Sequence, residues 1–373
     1  MPIYKVQGKK KDGLQLYRVV INYTDRQGKY KKAERNIYGL PEAKLTEMSL
    51  LKEYESSPTS PRCTLRELSE EYLATKMHSV RETSYAKIKG NIERYILPYV
   101  ADVRLDKLTA PALQKWKTEI EKENYSIRHK QNIYAEFRAL LNYAVKMDYI
   151  VKNPILSVGN FSDPYDIISA EDKLQYYTAE EFKKFISCAK ENNTSLSDWG
   201  YYVFFNIAFY TGMRKGEINA LKWSDIEGNK IHVRRSIAQK LKGGDRETPP
   251  KNKSSYRTLQ MPQPLIEILD EHKERQKKIN GFTEDLRICG GTSCLRDTSI
   301  SNKNIKFAHA AGLKTIRIHD FRHTHASLLV NEGINIQEIA RRLGHAKIEE
   351  TWNTYSHLYP REEERAIAIL NKI

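Results

Sequence analysis

Apolar and polar positions alternate along the first forty residues, and that alternation predicts strands. YKVQ (4–7) runs into the turn residues KKKDG (9–13). LQLYRVVINYT (14–24) then carries Tyr17, Val19, Ile21 and Tyr23 on one face. After DRQGK (25–29), YKKAERNIYG (30–39) predicts a third strand. The period then lengthens. LPEAKLTEMSLLKEYE (40–55) has helical spacing, with Pro41 suited to a first turn. Residues 1–57 therefore read as a small three-stranded sheet plus helix. SSPTSP (56–61) is a linker by composition.

Helical spacing dominates from residue 64 to residue 150. TLRELSEEYLATK (64–76) places Leu65, Leu68, Tyr72 and Leu73 on one stripe, and TSYAKIKGNIERYILPYV (83–100) repeats the pattern. LTAPALQKWKTEIEKE (108–123) has Thr109 as its cap and Pro111 just inside. SIRHKQNIYAEFRALLNYAVKMDYI (126–150) predicts the longest helix. These make a four-helix bundle over 62–152. Residues 151–175 are irregular, hold Pro154, Gly159 and Pro164, and mark a boundary. Thr178 with Glu181 is a capping box that opens a third domain, 170–373. Within it, 198–220 reads as a helix interrupted at TGMRKGE. Segments 231–238, 247–254 and 256–261 read as short strands, and the chain is mainly helical from Pro264. The predicted fold is multi-domain and mainly α, with small β parts.

Charge adds a partner to this outline. The 62 Lys and Arg exceed the 47 Asp and Glu by 15, which points to a polyanion, and nucleic acid is the default. Residues 1–35 hold ten Lys or Arg against three Asp or Glu, so the small sheet carries nearly half the excess. One sheet face is expected to present Arg18, Lys31 or Arg35 beside aromatic rings. Lys87, Lys89, Arg94, Lys115, Lys117, Arg128, Lys130 and Arg138 give the bundle a basic side. Any one of these is more often simply solvated, so the DNA-contact expectation concerns the patches. No stretch approaches the ~18 apolar residues of a membrane span, and the N-terminus has no apolar signal region. Cys63, Cys188, Cys289 and Cys294 form neither a disulfide framework nor a zinc pattern, so they read as reduced thiols of a cytoplasmic protein.

Four segments hold the unusual polar residues. In TGMRKGEINALKW (211–223), Arg214 and Glu217 are three apart; apolar Ile218 and Leu221 suggest an Arg held at a buried helix start. PPKNKSSYRTLQMP (249–262) crowds Lys251, Lys253 and Arg257 near a hairpin tip, where basic residues are common anyway. In HDFRHTHASLLV (319–330), His319 and Arg322 project together. His319 and His323 also have the i, i+4 spacing of a zinc pair, but the Glu of H-E-x-x-H is missing. In LGHAKIEETWNTYSHLYP (343–360), His345 follows a Gly at a predicted helix start, and Tyr355 lies ten residues on.

Taken in order, these segments resemble the tyrosine recombinase (phage integrase) family. The pattern is T-G-x-R-x-x-E, a hairpin Lys, H-x-x-R, L-G-H, and a Tyr about nine or ten residues later. The resemblance covers 178–360 by motif, 64–150 by arrangement as a helical core-binding domain, and 1–55 as an arm-type DNA-binding domain. It implies that Tyr355 attacks a DNA phosphodiester and that Arg214 and Arg322 bind the phosphate oxygens through forked donors. It also makes His319 the general base, Lys251 the acid for the 5′-hydroxyl leaving group, His345 a phosphate ligand, and Glu217 the group that orients Arg214. Asn252 stands where the family has Thr, so Lys253 remains an alternative to Lys251. Tyr359 is the weaker alternative nucleophile. Preorganised cations do here what metal ions do elsewhere, so no metal or other cofactor is implied.

The function implied is site-specific recombination that integrates and excises a mobile element, without ATP, by four protomers on core and arm attachment sites. An excisionase and a host DNA-bending protein are implied as further partners. A type IB topoisomerase-like nicking enzyme and a non-catalytic DNA-binding regulator are the alternatives. The tail REEERAIAILNKI (361–373) has an apolar stripe that docks either on its own domain or on a neighbour.

Overall fold

The structure, a computed structural model, describes residues 3–11, 13–24, 30–56, 63–162, 174–192, 196–239, 244–250, 252–278, 281–359, 367 and 370–371. Lys251 and most of the tail 361–373 lie outside them. The chain divides into two compact units, Met1–Ala170 and Glu171–Ile373.

The first unit opens with an antiparallel meander, β1 (Ile3–Lys11), β2 (Leu14–Thr24) and β3 (Tyr30–Tyr38), followed by α1 (Leu40–Ser56). Val19 and Ile21 of β2 form a buried cluster with Ala43 and Leu50 of α1. The strand register corrects the expectation of one basic face. Val19 pairs with Arg35 and Tyr23 with Lys31, whereas Arg18 pairs with Tyr4 and Asn36. Opposed residues share a face and successive residues alternate. Exposed Lys31 and Arg35 therefore lie on the helix-packed face, and Arg18 lies on the other. There its guanidinium is 5.9 Å from the Tyr4 ring centre and 3.7 Å from Glu34.

A second core gathers α2 (Leu65–Ser79), α3 (Glu82–Asn91), α4 (Leu97–Val100), α5 (Ala110–Lys122) and α6 (Ile127–Lys146). The Leu65, Leu68, Tyr72, Leu73 stripe is buried as its spacing predicts. Thr64 and Glu67 add a capping box at the start of α2. The helix read over 83–100 is broken: residues 92–96 form a π-turn in which the Leu97 N–H reaches Ile92 O. Pro98, which has no N–H to continue the regular ladder, follows directly. Thr109 stands at the N-cap of α5 but makes no side-chain cap. The second residue of that helix is Pro111, which has no N–H for the hydroxyl to accept. Trp116 fixes the centre, edge-on to Phe137 at 4.8 Å and donating to Tyr95 O at 2.8 Å. Lys87, Lys89, Lys115 and Arg128 are exposed. Lys117 and Lys130 instead give their ammonium groups to Asn160 O and Glu121 O.

The second unit is built around α8 (Leu196–Thr211), where Val203, Phe204, Phe205 and Ile207 have no exposed surface. α7 (Ala179–Glu191) starts at the predicted Thr178–Glu181 capping box. α9 (Lys215–Ala220) follows the Gly212 turn. The sheet β4 (Ile226–Glu227), β5 (Lys230–Val233) and β8 (Arg257–Gln260) and the hairpin β6 (Ser236–Ala238), β7 (Arg246–Thr248) come next. Pro249 and Pro250, which cannot donate to a ladder, follow β7 directly. The helices α10 (Gln263–Lys277), α11 (Asp297–Ala310), α12 (Asp320–Asn331), α13 (Ile336–Leu343) and α14 (Ile348–Tyr355) close the unit. Among the described residues, no helix is long and apolar enough to cross a membrane.

Candidate active site

The site grows from α12. Phe321 is fully buried, with ring centres of Phe185 and Phe205 at 5.3 and 5.1 Å, and this anchors the start of the helix in the aromatic core. Arg322, the next residue, is 3% exposed. Its two terminal nitrogens donate to Gly212 O at 2.8 Å and to Leu343 O at 2.7 Å. Both acceptors follow from local structure. Leu343 ends α13, where helix carbonyls lack partners, and a cation is favoured there. Gly212 turns the chain out of α8 at φ +63°, and a Cβ on it would stand 2.7 Å from His325 Cδ2. We therefore expect Gly212→Ala to destabilise the fold by more than about 1 kcal/mol through backbone conformation alone. It should also weaken cleavage by moving the carbonyl that holds Arg322. Thermal melting and a cleavage assay check the two parts. Burial first, and then Arg214, push the Arg322 guanidinium down to about 9, which still leaves it charged at neutral pH.

Arg214 is the N-cap of α9, so the expected helix start is where the chain places it. Its Nη1 donates to Glu217 Oε1 at 2.9 Å and to Ser255 Oγ at 3.3 Å, and its Nη2 to Gly344 O at 3.4 Å. Glu217 is 3% exposed and its other oxygen accepts from Arg214 N and from Arg257 Nη2, at 3.0 and 2.9 Å. Burial alone would raise this carboxyl, but the Arg257 and Arg214 cations outweigh it and hold it below the ordinary range. Arg257 belongs to this buried network: its Nε also donates to Arg342 O at 2.7 Å. The sequence placed it among basic residues at a hairpin tip. The readable signal was its place on β8, after a buried Ser255.

His345 corrects one expectation. Gly344 does not begin a helix; it closes α13 in the left-handed conformation, at φ +70°. The turn leaves His345 Nδ1 2.7 Å from Thr351 Oγ1, on the buried side of α14. Burial, then Arg322, Arg214 and Arg257, depress this imidazole to about 3, so it is neutral. Tyr355 ends α14. It is 1% exposed and packs with Ala326, Val330, Ile339 and Leu343. Its Oη lies 2.6 Å from Nδ1 of His323, a residue the sequence had weighed only as a zinc ligand. Burial pushes the Tyr355 phenol well above its usual range. His319 stands at the N-cap position of α12 without a side-chain cap, is exposed, and sits edge-on to His323 with ring centres 5.2 Å apart. Among the described residues, no three His, Cys, Asp or Glu come together as metal ligands. Tyr359 turns away and gives its hydroxyl to Ile334 O at 2.6 Å. Exposed Lys253 lies two residues beyond Lys251, which is outside the described residues.

The structure thus joins Arg214, Glu217, Arg257 and Ser255 in one network, and places Arg322, the His345–Thr351 pair and the Tyr355–His323 pair near it. Two guanidiniums with spare donors beside a neutral imidazole and a phenol can bind a phosphate and offer it a nucleophile.

Comparison with known proteins identifies the family. The family model described as "Phage integrase family" matches residues 175–362, and "Phage integrase, N-terminal SAM-like domain" matches 64–120. The ICEBs1 integrase of Bacillus subtilis is 29% identical over 303 residues, covering 79% of this chain and 78% of its own. A "Tyrosine recombinase XerC-like" protein of Caldanaerobacter subterraneus is 26% identical over 323 residues, covering 79% of each. Among solved structures, the Tn1549 transposon integrase in complex with a circular intermediate DNA superposes with a TM-score of 0.64 at 18% identity, over 83% of this chain and 99% of that one. A lambda integrase tetramer bound to a Holliday junction gives 0.57 at 18%, over 97% and 95%. At such identities the likeness is one of fold.

Proposed function

The chain belongs to the phage integrase family and is a tyrosine-type site-specific recombinase; on that premise we propose that Tyr355 is its nucleophile and that it integrates and excises a mobile element. The observation that supports the reading is that Arg214 and Arg322 donate to the consecutive carbonyls of Gly344 and Leu343, directly before His345, while Tyr355 packs with Leu343. The scissile phosphate is bound by the remaining N–H groups of the two guanidiniums and by His345. Tyr355 Oη attacks phosphorus, the bond to the 5′-oxygen breaks, and the hairpin lysine, Lys251 or Lys253, protonates that oxygen. A 5′-hydroxyl from the partner DNA then displaces the phenolate and reseals the strand, so the bond energy is conserved. Arg18, Lys31, Arg35, Lys87, Lys89 and Arg128 are the proposed contacts to DNA outside the site. Lys130, whose ammonium already serves Glu121 O, is a weaker one.

The proposal extends to four protomers on two duplexes in the bacterial cytoplasm, with an excisionase and a host DNA-bending protein setting direction. Neither alternative is favoured: the relatives are integrases and recombinases, and a regulator has no use for a buried Arg–Glu–Arg network beside a tyrosine. A plasmid carrying the DNA that flanks this gene on both sides tests the reading. Purified protein is expected to join the two ends and release a circle; persistent failure with host extract supplied would count against it. DNA affinity should also fall by about 10³–10⁵ between 50 and 200 mM salt, for roughly six to ten phosphate contacts, measured by fluorescence anisotropy.

A further inference from the structure

His323 follows Arg322 directly, and the phosphate-binding and leaving-group steps make no use of it. We propose that His323 is the catalytic residue that takes the Tyr355 proton, a role the family resemblance gives to His319; the inference rests on the recombinase reading. The geometry carries it. A general base must reach the proton it removes, within roughly 2.6–3.2 Å between heavy atoms. His323 Nδ1 is 2.6 Å from Tyr355 Oη, and among the described residues nothing else accepts from that buried phenol. A phenol that is 1% exposed needs an acceptor, so Tyr355 donates and His323 accepts on Nδ1, with its own proton on Nε2. His319 is edge-on to His323 and makes no hydrogen bond to Tyr355. The ring of His323 packs against both His319 and Tyr355, with ring centres 5.2 and 5.6 Å away.

The proton balance closes over both steps. As the bond from Tyr355 Oη to phosphorus forms, its proton passes to His323 Nδ1 and the 5′-oxygen leaves with a proton from the lysine. His323 stays an imidazolium until the incoming 5′-hydroxyl expels the phenolate, and then returns the proton to Oη, while the proton of that hydroxyl restores the lysine. The surroundings also explain an idle site without DNA. Burial first, then His319, with Arg317 and Arg322, hold His323 down to about 4 against the opposing pull of the facing Asp320 carboxylate. A scissile phosphate on Arg214 and Arg322 supplies further negative charge, which favours the imidazolium and so releases the phenol proton.

The probe is a duplex of the gene-flanking sequence, nicked a few bases beyond the scissile phosphate so that the released fragment diffuses away. It is made with an ordinary phosphate and with a 5′-bridging phosphorothiolate, whose thiolate leaves without a proton. We expect His323→Ala and His323→Asn to lower the rate of adduct formation by about 10²–10⁴ on both substrates, with DNA binding unchanged. Asn keeps an acceptor for the phenol but cannot carry the proton, so it decides the question if the Ala variant does not fold. Wild-type rates in His323→Asn would overturn the proposal. So would recovery on the phosphorothiolate, which would move His323 to the leaving group. No adduct from the wild-type chain would instead count against the recombinase reading itself.

Discussion

Tyr355→Phe is expected to abolish the covalent protein–DNA adduct, by on the order of 10⁴-fold or more, because no other group takes over a removed nucleophile. DNA binding should persist. The ring of Tyr355 lies among Ala326, Val330, Ile339 and Leu343, and a phenylalanine fills the same space. What is lost is one hydrogen bond to His323, a cost of about 1 kcal/mol. Denaturing gels on the nicked probe, beside anisotropy with intact DNA, separate the two effects. An adduct that survives in Tyr355→Phe would point to another tyrosine. Tyr359 is a poor candidate, since its hydroxyl is committed to Ile334 O.

The largest effect on stability is expected at Glu217. This carboxylate accepts from Arg214 and Arg257, and the Arg257 side chain is 5% exposed. Truncating one member of a buried charged network strands the others, which costs about 3–5 kcal/mol. Glu217→Ala should therefore lower the melting temperature of the unit Glu171–Ile373 by about 6–20 °C, and cleavage should fall as Arg214 loses its anchor. Melting at the wild-type temperature would contradict the network. The pH dependence follows the same carboxyl. Its folded value is depressed, so its stabilisation is fully present above the unfolded carboxyl value of about 4.3 and is lost as pH falls through the lower folded value. Glu217→Gln is expected to show a flatter loss of stability on acidification than the wild-type chain, read by melting curves from neutral pH downward.

Much of the fold and of the site was legible in the residues. Periodicity gave the three strands, the stripe of α2 and the capping box at Thr178, because each is set by neighbours in sequence. Motif order singled out Arg214, Glu217, Arg322, His345 and Tyr355 as candidates, since each has a local spacing to announce it. The misses share a cause. Arg257 looked like one more cation at a turn, and only the pairing of β8 with β5 puts it under Glu217. His323 looked like half of a zinc pair; its contact with Tyr355 spans 32 positions and depends on how α14 returns to α12. Gly344 was read as a helix start, although its left-handed backbone marks an end. The split of Arg18 from Lys31 and Arg35 is a matter of strand register, which alternation within single strands leaves open.

The most direct measurement is to trap the adduct of the wild-type chain on the nicked probe, digest DNA and protein, and locate the retained nucleotide by mass spectrometry. A 3′-nucleotide on the phenolic oxygen of Tyr355 is the expected result. A nucleotide on Tyr359 or any other residue, or strand joining with no covalent intermediate, would contradict Tyr355 as the nucleophile.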